Sequence, residues 1–210
     1  MIMTSEEACE AIHDFVNRLP TLRFPASTML PTDGIYFIFE ADETGHGARR
    51  IVRVGSHTGH GNLPKRLAEH MKANKDRSIF RKNLGRAFLN RSNDVFLKQW
   101  DWDLTSKEKK DQLSHLLDIE RQQAIETLIT DYVVANLSFA VISVADMRSR
   151  LLLESALIAT IARCRHCGTS ARWLGNHSPV AAIRSSGLWL KQHLNGNIIN
   201  EQQLHALRDK

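Results

Sequence analysis

Apolar residues recur at helical spacing near the start of the chain. Ala8, Ile12, Phe15, Val16 and Leu19 fall on one face. Thr4 followed by Glu7 is the pattern of a capping box, in which a hydroxyl and a carboxylate each satisfy a free terminal amide. Pro20 stops that helix, and Pro25 and Pro31 punctuate the linker after it. The period then shortens to two. Ile35, Phe37 and Phe39 alternate with Tyr36, Ile38 and Glu40, which predicts a strand. Residues 41–50 read as a polar turn and Ile51–Gly55 as a second strand, so the pair forms a hairpin. Asn62 and Pro64 open a further helix, with Leu63, Leu67 and Met71 along one side.

Helical spacing returns in RSIFRKNLGRAFLN, where Gly85 marks a packing or kink position, and in Ile125, Leu128, Ile129, Tyr132 and Val133. LSFAVISVA alternates and is rich in β-branched residues, which predicts a third strand. RSRLLLESALIATIARC predicts a helix that is apolar on nearly every side, and Ser178-Pro179 through Gly187 a short one. The expected fold is α/β (α+β): a small three-stranded antiparallel sheet flanked by helices. A single domain is expected over 1–210. Its core runs from about 31 to 164, with a polar insertion at about 92–112 and a C-terminal helical extension at about 165–210.

The chain has 210 residues and a net charge of +5, with 42% hydrophobic and 24% charged residues, a globular composition. No apolar run reaches membrane-spanning length, and the N-terminus lacks the apolar core of a signal peptide. Three cysteines argue against a disulfide framework and for a reducing, cytoplasmic setting. The positive charge is concentrated. Residues 62–91 carry nine basic side chains against two acidic ones, a balance of +7, which leaves −2 for the rest. Such a segment suits a phosphate backbone, and Lys65, Lys72, Lys75, Arg77, Arg81 and Lys82 are its candidate nucleic-acid contacts.

Strand alternation puts Tyr36 on one face with Ile38 and Glu40, and Arg53 on one face with Ile51 and Gly55. If the hairpin pairs closely, Tyr36 and Arg53 share a side, and Gly55 leaves room for something to approach the backbone. Arg66 and His70, four apart on the next helix, share a face beside it. Glu154 sits between Leu151-Leu152-Leu153 and Ala156-Leu157-Ile158. A carboxylate pressed into such surroundings calls for a metal ion or an arginine, unless it lies on a narrow wet stripe with Arg150 and Ser155.

The ordered set of Gly34-Ile35-Tyr36, a strand ending Arg53-Val54-Gly55, the helix LPKRLAEH and the late helix around Glu154 resembles the GIY-YIG nuclease superfamily. The resemblance implies phosphodiester cleavage with one divalent ion per site, Mg²⁺ or Mn²⁺, and no organic cofactor. By position, Tyr36 matches the first-motif tyrosine, Arg66 the helix arginine and Glu154 the metal ligand. His70 stands where restriction-type members place a histidine. Arg53 replaces the second-motif tyrosine, and Asn176 is the nearest counterpart of a late asparagine. In that chemistry Glu154 would hold a hard cation through oxygen and Arg66 would fork onto phosphate. Tyr36 would orient the attacking water or take its proton. Arg53 would favour the Tyr36 phenolate or grip a phosphate oxygen, with His57 and His70 as alternative proton carriers.

These features lead to an expectation of a metal-dependent endonuclease acting on nucleic acid, DNA first, in restriction or phage defence. A homodimer, or partner proteins of a defence system, would fit that role, and no membrane association is expected. The competing reading is a catalytically inactive nucleic-acid-binding module on the same scaffold. Trp100 and Trp102, in the polar insertion, are candidates to stack on unpaired bases. His46 and His60 read as loop residues. Cys164-Arg165-His166-Cys167 has the spacing of a zinc knuckle but needs two more ligands. His166 is too near in sequence and His177 and Cys9 are remote, so two reduced cysteines at a helix end are the default.

Overall fold

The computed structural model of the protein describes residues 3–209. Thr4 caps helix α1 (Ser5–Arg18), and the full capping box with Glu7 is present. A two-residue strand β1 (Leu22–Arg23) follows, then β2 (Gly34–Gly45) and β3 (Ala48–Gly55). Helices α2 (Leu63–Glu69), α3 (Ile79–Arg91), α4 (Leu97–Trp100), α5 (Lys107–Leu113) and α6 (Ile119–Asn136) lead to β4 (Leu137–Ser143). Then come α7 (Met147–Arg163), α8 (Ala181–Ser186) and α9 (Glu201–Arg208). No helix of the described residues is long and apolar enough to cross a membrane.

The sheet is antiparallel with order β1-β4-β2-β3. It has four strands where the sequence predicted three, because two residues beside β4 carry no readable alternation. The hairpin is also longer than predicted. β2 runs on to Gly45, and the reversal is the two-residue turn His46-Gly47, both with positive φ. Thr44 and Gly45 are strand because pairing with Arg49 and Ala48, rather than their own hydrophobicity, holds them.

Hydrophobic residues pack on both faces of the sheet. One face gathers Tyr36, Ile38, Val52, Leu63, Phe80, Trp100, Trp173 and Trp189. The other gathers Ile35, Phe37, Phe39, Ile51 and Val54 with α1, α7 and α9. Trp173 and Trp189 bring the C-terminal segment onto the first face. Their indoles pack 5.0 Å apart, and both Nε1 groups donate to the buried Glu40 carboxylate, at 3.1 and 2.9 Å.

The region at 92–112 is pinned rather than loose. Trp100 is fully buried, and its Nε1 donates to the Lys82 carbonyl at 2.9 Å. Gly85 is what admits it, since a Cβ there would lie 2.3 Å from the indole. Trp100 therefore has no face to offer a base, contrary to expectation. Trp102 is partly exposed, with its carbonyl engaged by Lys75 and Lys82.

Candidate active site

The hairpin register decides which side chains meet. Tyr36 pairs with Gly55 and Ile38 with Arg53, so Tyr36 and Arg53 lie on one face as the sequence suggested. Phe39, however, pairs with Ile51. Val52 is the extra residue of a bulge, and the phase of β3 changes across it. Ile51 therefore joins the opposite face with Val54, and Arg53 does not share a face with it.

Gly55 does admit a close approach, and the visitor is Tyr36 itself. A Cβ at 55 would stand 2.3 Å from the Tyr36 hydroxyl. The hydroxyl meets His70 Nε2 at 2.9 Å, and His70 Nδ1 meets Ser78 Oγ at 2.9 Å. His70 is completely buried. Burial, with Arg53, Arg66 and Arg81 nearby, holds its pKa well below the usual histidine value, so the ring is neutral at pH 7. The partly exposed Arg66 lies beside the Tyr36 hydroxyl and pairs with Glu69 at 3.1 Å. Burial works against its charge, but Tyr36 and Glu69 outweigh that and hold the guanidinium above its ordinary pKa.

Glu154 comes from the middle of α7 and is half-buried. Its two oxygens accept from the Ser56 amide and hydroxyl, which anchors the carboxylate at the end of β3. Its neighbours Leu151 and Leu152 are exposed, so it is not pressed into an apolar helix. Nor does it share a wet stripe with Arg150, which is fully buried. Arg150 clamps the loop after β3 onto α7 by donating to the carbonyls of His57, Gly59, Val144 and Ala145. His57 sits at the floor of this loop. Its Nε2 accepts from the Gly34 amide at 3.3 Å, and burial and Arg150 lower its pKa.

Two adjoining hollows of about 420 and 330 Å³ meet along Ser56, Arg66 and Glu154. The first adds His57, Lys65 and Glu69, and the second Tyr36, Arg53, Asn83 and Lys191. Arg53 is buried against the Phe80 ring and donates through Nη1 to the Trp189 carbonyl, while its Nε has no partner among the described residues. A phenol, two guanidiniums and a carboxylate from β2, β3, α2 and α7 thus border one cleft.

A family model described as GIY-YIG domain matches residues 10–210. The chain belongs to the GIY-YIG family. Nuclease activity on nucleic acid is the class of function that this membership carries. No curated protein and no solved structure matches the chain.

In this GIY-YIG domain, half of the predicted basic contacts turn out to be internal. Arg81 is fully buried and pairs with Glu126 at 2.6 Å. Lys75 and Lys82 are buried and donate to the Trp102 carbonyl. Lys65, Lys72 and Arg77 are exposed, and Lys65 lines the cleft. Charge alone cannot separate a buried cation from a solvated one, because the partner Glu126 is 45 residues away. Asn176 borders neither hollow. Its amide braces its own loop through Thr169, Ser170 and Ala171. Sequence reasoning passed over Ser56, Ser78, Asn83 and Lys191. Only Ser56 carried a signal, as the hydroxyl next to the motif glycine.

Proposed function

We propose that this GIY-YIG domain is a metal-dependent endonuclease that hydrolyses phosphodiester bonds in DNA. The observation that carries the reading is the cleft shared by Tyr36, Arg66 and Glu154, three groups 30 and 88 residues apart in succession. Glu154 fits a hard divalent cation such as Mg²⁺ or Mn²⁺. Its carboxylate is anchored from one side by Ser56, reaches the cleft, and each oxygen keeps a lone pair. A bound ion would supply charge neutralisation at the scissile phosphate and the leaving oxygen.

The protein's own groups do the rest. Arg66 turns from Glu69 to a phosphate oxygen when substrate enters. Tyr36 orients the attacking water through its hydroxyl, which the neutral His70 ring holds in place at 2.9 Å. Arg53 donates to the Trp189 carbonyl and borders the same hollow as Tyr36, where it faces an incoming phosphate. Lys65, Lys72 and Arg77 seat the backbone of the nucleic acid. Restriction or phage defence in the cytoplasm, as a homodimer or with partner proteins, is the setting that suits such chemistry.

Supercoiled plasmid, single-stranded DNA and RNA, each incubated with Mg²⁺, Mn²⁺ and chelator, test the proposal. Cleavage should need the divalent ion and should fall at least about 10³-fold in Glu154→Ala, in line with losing a main source of transition-state charge stabilisation. Equal cutting by a folded Glu154→Ala protein would reject the assignment. Two features favour an inactive binding module instead. The Tyr36 hydroxyl is wholly covered and Arg53 is committed to a carbonyl. Binding without product under every metal would decide for that reading.

A further inference from the structure

On the opposite side of the sheet, four potential ligands converge from four places in the chain. Cys9 comes from α1, His46 from the tip of the β2–β3 hairpin, Cys164 from the C-cap of α7 and Cys167 from the loop beyond. Their ligating atoms all lie within 4.8 Å of one another. Cys9 Sγ is 3.6 Å from Cys167 Sγ, and His46 Nε2 is 3.2 Å from Cys164 Sγ. Around a tetrahedral zinc the sulfur–sulfur edges are about 3.8 Å and the sulfur–nitrogen edges about 3.5 Å, from the usual Zn–S and Zn–N bond lengths. The observed pairs are already near those edges.

We infer that Cys9, His46, Cys164 and Cys167 form a closed structural zinc site. This revises the default of two idle cysteines and the reading of His46 as a loop residue.

Independent features support it. His46 occupies the first position of a two-residue hairpin turn with φ of 51°. Histidine is among the few non-glycine residues enriched at positive φ, so the turn accommodates it while aiming its ring at the cluster. Gly45 beside it eases the close approach, since a Cβ would lie 3.1 Å from Cys167 Sγ. The neighbouring His13 is excluded as a ligand and acts as a brace. Its Nε2 accepts from the Ile51 amide at 3.2 Å, which puts its proton on Nδ1, facing the Cys9 carbonyl at 2.9 Å. The set is Cys₃His, with a Cys-x-x-Cys knuckle, and all four positions are filled by protein, which is the arrangement of a structural rather than a catalytic zinc. Ligands this close suit a single ion rather than a multi-iron cluster.

The consequence reaches the cleft. Cys164 caps the helix that carries Glu154, ten residues or about 15 Å earlier. Zinc would tie the far end of α7 to α1 and to the hairpin, holding Glu154 against Ser56 without touching substrate.

The test is metal analysis of the full chain after purification in reducing, chelator-free buffer. One zinc per chain is expected, released in proportion to thiol modification. Cobalt exchanged into the same protein should give the intense thiolate charge-transfer and visible bands of a tetrahedral site. His46→Asn, which suits the turn, should bind zinc at least about tenfold more weakly yet remain folded, and Cys9→Ser/Cys167→Ser should lose it. Glu154→Ala should keep its zinc. A folded wild-type protein that takes up no zinc or cobalt, that contains iron instead, or that retains zinc in the double cysteine variant overturns the inference. A native Cys9–Cys167 disulfide in place of metal overturns it as well.

Discussion

Gly55→Ala is the most informative single change, because the same methyl group probes packing and chemistry. In an unconstrained strand the replacement would gain about 0.5–1 kcal/mol from backbone entropy. Here the new Cβ would stand 2.3 Å from the Tyr36 hydroxyl oxygen, 2.4 Å from Cζ and 2.9 Å from Cε1. Ordinary carbon contacts sit at about 3.5–4.0 Å, so the ring must retreat by about 1 Å. The Tyr36–His70 hydrogen bond of 2.9 Å cannot survive that, since Phe80 closes off the imidazole edge-on. Overpacking costs about 1–3 kcal/mol, and the orphaned buried imidazole about 1–3 more. Less the entropy gain, the net expectation is a loss of about 1–5 kcal/mol. Cleavage should fall about 10²-fold, the usual consequence of a catalytic group misplaced by 1 Å. Urea unfolding and plasmid cleavage read the two effects. Tyr36→Phe in the same background should not rescue stability, because Cζ and Cε1 still collide. A Gly55→Ala protein of unchanged stability and full activity would refute the placement of Tyr36 beneath Gly55.

Three further outcomes follow from the same geometry. Arg81→Met should cost about 3–5 kcal/mol in urea unfolding by leaving Glu126 buried without its cation, whereas Arg81→Met/Glu126→Leu should cost much less. Equal losses would show that the pair is not coupled. The depressed pKa of His70 means that the unfolded chain takes up a proton the native protein refuses. Stability should therefore be intact above about pH 6.5 and decline below it, by up to about 1.4 kcal/mol per pH unit, and His70→Asn should flatten that slope. An unchanged pH profile in the variant would assign the decline elsewhere. Replacing Lys65, Lys72 and Arg77 with alanine should weaken DNA binding and shallow its log–log salt dependence by about 0.9 for each phosphate no longer neutralised. Lys82→Ala, which removes an internal donor, should lower stability and leave the salt slope alone.

How much was legible depended on the range over which each signal acts. The capping box at Thr4 and Glu7, the alternation from Ile35 to Phe39 and the apolar face of α1 are local patterns, and a chain reads them out through its own backbone geometry, whereas on α6 the predicted Leu128 is exposed and Glu126 is buried. Positional resemblance placed Tyr36, Arg66 and Glu154 in one site, and the fold brings them to one cleft. Arg66 and His70 illustrate the boundary. Their spacing of four put them on one helix face, but only packing buried His70 against Ser78 and left Arg66 partly exposed at the cleft.

Tertiary structure alone decided the remainder. The bulge at Val52 moved Ile51 to the other face of the sheet, because register belongs to the pair of strands and not to either one. Arg81, Lys75, Lys82 and Arg150 look like surface charge in the sequence. They are internal because partners at Glu126, Trp102, Gly59 and Val144 arrive from elsewhere in the chain. The cluster of Cys9, His46, Cys164 and Cys167 spans 158 residues between its outermost ligands. Periodicity acts over a few residues and closure in space over the whole fold. The elements could therefore be written down from the amino acids, whereas the convergence of side chains at the cleft and at the thiol cluster required the folded molecule.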